Sequence, residues 1–176
     1  YDEAITAFKK ALEINPEMGP AWGNIGNAYY NQGDFEKALK CFNKAIELNR
    51  KAIELDPMSM IVAHALAQVY YLGRDFEQAA RQTEQALSLD RNDPSVHYFL
   101  ALPNDQLGRF QVAQESYRRA IELSDGAPLY RAGLAYSLAR AGLPGEARLI
   151  LGELRDDPRT ADFDIALIHL GLGETD

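Results

Sequence analysis

AWGNIGNAYYNQGDFEKALKCFNKAIELN, residues 21–49, holds two helical patterns separated by a single turn. Trp22, Ile25, Gly26 and Tyr29 fall at i, i+3, i+4 and i+7, one face of an α-helix. Gly33-Asp34 follows, with glycine suited to the residue that ends a helix and aspartate to the side-chain cap that opens the next. The unit is therefore helix, tight turn, helix, closed by a turn such as Asn15-Pro16 or Asp56-Pro57. Gly26, and in turn Ala67, Ala101 and Ala135, stand where the two helices of a pair must cross closely. A larger side chain there would push the pair apart.

The pattern recurs. Alanine appears at Ala4, Ala38, Ala79, Ala113 and Ala147, at intervals of 34, 41, 34 and 34 residues. A ring precedes it by three at Tyr1, Phe35, Phe76 and Phe110, and a small residue follows by seven at Ala11, Ala45, Ala86 and Ala120. The long interval exceeds the others by seven, and the surplus lies in FNKAIELNRKAIELDP, residues 42–57, where KAIEL is written twice. Seven residues turn a helix through about 700°, so its face shifts by only about 20° and the register survives. The spacing predicts one long second helix from about Asp34 to Leu55, extended by ~10 Å. Ala52, Ile53 and Leu55 are expected to project without an equivalent neighbour. Basic residues are all lysine before position 50 and all arginine after Lys51, as if two stretches of different compositional history meet there.

Trp22, Ile25, Gly26, Tyr29, Ala38, Phe42, Ala45 and a displaced Pro57 together resemble the tetratricopeptide repeat pattern. The resemblance implies an all-α fold, a right-handed superhelical solenoid of antiparallel helix hairpins with about ten helices. It divides one array over residues 1–176 into a half unit at 1–18 (second helix only), a unit with the seven-residue insertion at 19–59, and units at 60–93, 94–127 and 128–158. A last half unit at 159–176 is a first helix only, with Ile165, Ala166 and Leu170 on its inner face. The match weakens toward this end, where Leu154 replaces the second alanine. More faintly, DFDIALIHLGLGE, residues 162–174, resembles the C-terminal repeat tails of bacterial multidomain signalling proteins.

In this family the first helices line a concave groove that binds peptides or partner helices. The resemblance places Asn24, Asn27, Tyr30, Asn31, His64, Gln68, Tyr71, Tyr98, Asp105 and Gln106 there. Asparagine and glutamine offer donor and acceptor together, which matches an extended peptide backbone, and tyrosine adds apolar area with a polar tip. A mode that holds a terminal carboxylate is disfavoured: Gly23, Ala65, Ser95 and Phe99 stand where its Lys, Asn, Lys and Arg would be, though Asn27 matches. Pro103, mid-helix in ALPNDQLG, predicts a kink or an early break, whereas Pro144 fits a first helical turn.

A net charge of −8 without a basic cluster argues against nucleic acid, and no apolar run is long enough to span a membrane. Cys41 cannot pair internally, which suits a reducing, cytoplasmic compartment, and it is expected to pack as a small apolar side chain. His64, His97 and His169 fall in different units without metal-ligand spacing; His97 matches Trp22 and His169 matches Tyr29, so both are expected to pack. Asp156-Asp157 and Asp162/Asp164 lie near helix boundaries, as caps or solvating charge. No phosphate loop or nucleophile motif is present. The expected function is a non-catalytic protein-interaction scaffold without cofactor or metal; the alternative is a regulatory segment of a larger bacterial enzyme, kinase or transcriptional regulator. Both terminal half units are expected to leave apolar faces uncovered, Ile5 and Phe8 at one end and Ile165 and Ile168 at the other, open to end-to-end self-association.

Overall fold

The computed structural model describes residues 1–55 and 60–174. Among them all regular structure is helical: α1 (Asp2–Ile14), α2 (Gly19–Asn31), α3 (Phe35–Leu55), α4 (Met60–Leu72), α5 (Phe76–Leu89), α6 (Pro94–Gln106), α7 (Phe110–Leu123), α8 (Pro128–Arg140), α9 (Pro144–Arg155) and α10 (Asp162–Leu172). Two compact units divide the chain, Tyr1–Leu89 with α1–α5 and Asp90–Asp176 with α6–α10.

Within each unit, consecutive helices pack as antiparallel pairs, α2 on α3, α4 on α5, α6 on α7 and α8 on α9. The turns between them share one conformation. Gly33, Gly108 and Gly142 adopt φ of +80°, +71° and +85°, and Arg74 takes the equivalent place at φ 62°. Asp34 and Asp75 then cap α3 and α5, accepting from the backbone N–H of Lys37 and Gln78 at 3.2 Å. Prolines Pro94, Pro128 and Pro144 open α6, α8 and α9, where a missing N–H costs nothing.

Close helix crossing follows from the small residues. A Cβ on Gly26 would lie 2.6 Å from the Phe42 ring, so α2 meets α3 at a distance only glycine permits. Ala67, Ala101 and Ala135 are buried at the corresponding positions. In the second unit Gly133 plays a similar part against the Tyr117 ring. Around these contacts lie the cores: Ile5, Leu12, Ile25 and Cys41, and beside them Phe42 and Val69, in the first unit; Tyr117, Leu138, Leu151, Leu154 and Ile168 in the second.

α3 runs for 21 residues, against 14 in α5 and in α7, so the doubled KAIEL is one continuous helix. Its buried face continues through the surplus: Ala38, Cys41, Phe42, Ala45, Leu48, then half-buried Ala52 and Ile53. Ile53 packs with Leu66, Tyr70 and Ala79, which corrects the expectation that it lacks a covering neighbour; Leu55 alone stays outside, 88% exposed. Glu47 ties the old ending to the new, bonded to Lys51 at 2.9 Å and Lys44 at 3.0 Å, and these ammonium groups hold its carboxyl down to about 2.

Three further expectations are corrected. Of the kink or early break expected at Pro103, the early break does not occur; the helix continues to Gln106. Proline deletes one bond to the carbonyl of Phe99, and the next carbonyl, of Leu100, receives the Asn104 side-chain amide at 2.8 Å. The four terminal residues expected to be uncovered are not: Ile5 is buried against α2, Ile168 is fully buried, and Phe8 and Ile165 are half-buried. α10 leans chiefly on α8, with Gly171 close to the Tyr136 backbone, so its inner face is rotated. That face carries Asp164 and Ile168; Ala166 and Leu170 point outward, with Phe163.

The surplus turns have a cost. Asn49 stands where Asn15 forms a turn in the preceding period, accepting from Glu17 N–H at 3.1 Å. Inside the lengthened α3 it is buried at 2% exposure against Gly19, and its Nδ2 has no hydrogen-bond partner. An unsatisfied buried donor costs about 1–3 kcal/mol, and alanine is the better helix former by roughly 0.6 kcal/mol. Replacing Asn49 with alanine is therefore expected to raise stability by about 1 kcal/mol after the small void is counted. Urea unfolding followed by circular dichroism measures this; a destabilised variant would show that the amide is satisfied.

Candidate interaction surface

The first unit presents one face built by α2 and α4, which approach closely because a Cβ on Gly23 would lie 2.9 Å from Val69 Cγ2. On α2, Asn24, Tyr30 and Asn31 are exposed and Asn27 is half-buried; on α4, Gln68 is exposed and His64 and Tyr71 are half-buried. Asn31 donates to Asn27 Oδ1 at 3.4 Å. Tyr30 stacks edge-on against Phe35, with ring centroids 5.4 Å apart, and Tyr71 meets Phe76 at 5.6 Å. Each phenol is thus braced by the first ring of the following helix, an arrangement repeated one period later. Bracing leaves less rotamer freedom to lose on binding.

In the second unit the three expected groove residues differ in fate. Gln106 is half-buried. Tyr98 belongs to an aromatic cluster, 5.3 Å from the Tyr130 ring and 6.0 Å from Tyr117, and packs against the core. Asp105 departs from expectation altogether: it is 1% exposed and accepts the Tyr117 hydroxyl at 2.9 Å. Tyr117 occupies the place of Phe42 and Thr83. Phenylalanine has no hydroxyl, and Thr83 satisfies its own on the Ala79 carbonyl at 2.9 Å. The buried phenol of Tyr117 needs an acceptor, and the Asp105 carboxylate turns inward to supply it. No pattern on α6 alone signals this, because the partner lies on α7.

Burial pushes the Asp105 carboxyl up from its ordinary range; Ser137, Tyr117 and Arg140 oppose that rise without cancelling it. Asp105 Oδ1 and the Ser137 hydroxyl make no hydrogen bond of good geometry, although Ser137 is near enough to favour the charged form. Because the folded pKa lies above the unfolded one, the native state binds more protons between them, and stability falls as pH rises through that window. Asparagine would keep the acceptor for Tyr117 and offer Ser137 a donor. Asp105→Asn is expected to unfold at higher urea than the wild type at pH 7, with the gap closing as pH falls toward 3.8, the ordinary aspartate value. Chemical denaturation across that range measures it; a gap that widens on acidification would reverse the assignment.

His97 and His169 behave as hydrogen-bonding side chains. His97 Nε2 bonds the Arg91 carbonyl at 2.9 Å, six residues back, as Trp22 Nε1 donates to Pro16 O at 3.2 Å. A carbonyl only accepts, so Nε2 carries the hydrogen. His169, expected to pack, instead joins a polar chain: Arg155 donates to Nε2 at 3.3 Å, and Nδ1 donates to Glu174 at 2.9 Å. Arg148, more than His169, holds Glu174 below the usual carboxylate range. Cys41 is buried, and burial raises its thiol above the ordinary value while the Lys9 ammonium opposes this. Asp164 accepts the backbone N–H of Ala161 at 3.0 Å at the start of α10, and Asp157 is paired with Arg159 at 2.8 Å, which lowers its carboxyl to about 2. Among the described residues no group of acidic, cysteine or histidine side chains is arranged to hold a metal, and no helix is long and apolar enough to cross a membrane.

Hairpins of this geometry, repeated around small crossing residues, define a helical-repeat interaction scaffold. The chain matches the tetratricopeptide repeat family over residues 1–18, 19–52 and 105–159, together more than half its length, and it belongs to that family. Among curated proteins it is 26% identical over 141 residues to the BBSome complex member BBS4 of Xenopus tropicalis, covering 80% of this chain but only 26% of that protein. A thermophilic tetratricopeptide repeat protein of Thermus thermophilus has the same fold, with a TM-score of 0.73 at 22% identity over 98% of this chain and 90% of its own. So does YrrB, a tetratricopeptide repeat protein with an unusual peptide-binding site, with a TM-score of 0.52 at 24% identity over 97% of this chain and 86% of its own.

Proposed function

We propose that the α2–α4 face of the first unit binds an extended peptide of a partner protein. The observation that carries this is the pair of braced phenols, Tyr30 on Phe35 and Tyr71 on Phe76, set among exposed Asn24, Asn31 and Gln68. Rigid aromatic rings supply contact area at low entropic cost, and the primary amides can match both the N–H and the C=O of an extended backbone. The fold shared with YrrB supports a peptide ligand by analogy. Since the chain spans 26% of the length of its BBSome relative, a second reading is a regulatory segment within a larger protein. The two readings are compatible, because such a segment acts through the peptides it holds.

Tyr30→Ala and Tyr71→Ala together should cut retention of peptides selected from an array at least tenfold, as expected from losing two aromatic anchors of about 1–2 kcal/mol each. Circular dichroism and the unfolding midpoint of the double variant establish that the helices persist. Undiminished retention by a folded double variant would place binding elsewhere.

A further inference from the structure

On the opposite side of α2 lies a small cavity of about 220 Å³ between α1, α2 and α3. Trp22, Ile25 and Tyr29 form its floor, each two residues from a groove position and so about 200° around the helix. Leu12 of α1 and Cys41 of α3 wall it. All of these are apolar surfaces, and the cavity is open at its mouth.

Three lysines, Lys9, Lys37 and Lys40, also line it. This runs against the chain, whose net charge is −8. Lys37 is paired with Asp34 and lies 5.3 Å over the Tyr29 ring; Lys40 bonds Glu36 at 2.6 Å. Lys9 has no acidic partner among the described residues, and its ammonium sits near enough to Cys41 to favour the thiolate. An apolar pocket with one unneutralised cation in its lining matches a ligand with an apolar body and one negative charge.

We propose that this cavity binds an amphipathic organic carboxylate, its apolar body on Trp22, Ile25 and Leu12 and its carboxylate on Lys9. At ~30 Å³ per water-sized group, the space takes about seven such groups, the length of a medium aliphatic chain or a substituted aromatic acid. The site is separate from the peptide face and does not depend on that assignment.

The chain carries one tryptophan and one cysteine, and both line the cavity, so each reports on it. Octanoate titrated at pH 7 is expected to change Trp22 fluorescence saturably and to slow alkylation of Cys41 by iodoacetamide. Lys9→Gln, an exposed substitution that leaves the core intact, should weaken octanoate about tenfold, the value of one charge-assisted hydrogen bond, and leave octan-1-ol unchanged. Cys41→Met should abolish the fluorescence response by filling the space, provided its unfolding midpoint shows it folded. Equal affinity for octanoate and octan-1-ol with no effect of Lys9→Gln would overturn the carboxylate assignment. Absence of both responses, or protection of Cys41 by an acidic leucine-bearing peptide but not by octanoate, would overturn the site as a small-molecule pocket.

Discussion

Two helices can approach until backbone nearly meets side chain only if one of them carries almost nothing at the crossing, and every hairpin in this protein depends on that. Gly26 against Phe42 and Gly133 against Tyr117 show it most sharply, since a single added carbon would enter the ring. Ala101, Ala113, Ala120, Ala132 and Ala135 carry the same condition through the second unit, each with no exposed surface. Small residues bury little apolar area themselves. Their contribution is to let Phe42, Tyr117 and the leucines around them bury theirs.

That condition has consequences beyond packing. Once a tyrosine rather than a phenylalanine fills the space beside Gly133, its hydroxyl is carried into the core and demands an acceptor. Asp105 answers at the cost of burying a carboxyl, and a position that is exposed at Tyr30 and half-buried at Tyr71 is enclosed here. The second unit gains a satisfied phenol and loses a surface carboxylate. Local chemistry at one crossing thus withdraws a carboxylate from the surface of the second unit, whereas the same place in the first unit is held by the phenols Tyr30 and Tyr71.

The seven-residue surplus in α3 is tolerated for a related reason. Nearly two full turns return the apolar stripe to its place, so Ile53 finds Leu66 and Tyr70 much as Ile46 does. What does not return is the turn chemistry. Asn49 belongs to a loop in the repeating pattern, and the added turns enclose it in a helix with an amide that nothing accepts. Periodicity protects the stripe and gives no protection to a residue chosen for a turn.

The fold was legible in the residues because it is written in spacing: alanines and rings at fixed intervals, a helix period of 3.6, and Gly-Asp turns are local or nearly local signals. The length of α3, the opening of α9 at Pro144 and the helical class of the chain followed from them. Much of the candidate surface was legible too, since outward positions on α2 and α4 follow from the same period. Burial of Asp105 and the rotation of α10 were not, because each was settled by a group on another helix. The persistence of α6 beyond Pro103 was not either, although its side-chain contact lies within α6 itself. Tyr117 recruits the carboxylate, α8 rather than α9 receives most of α10, and the Asn104 amide turns back onto the carbonyl of Leu100. A repeat pattern specifies which residues share a face of one helix. What stands opposite that face, and at what distance, is decided when the helices meet.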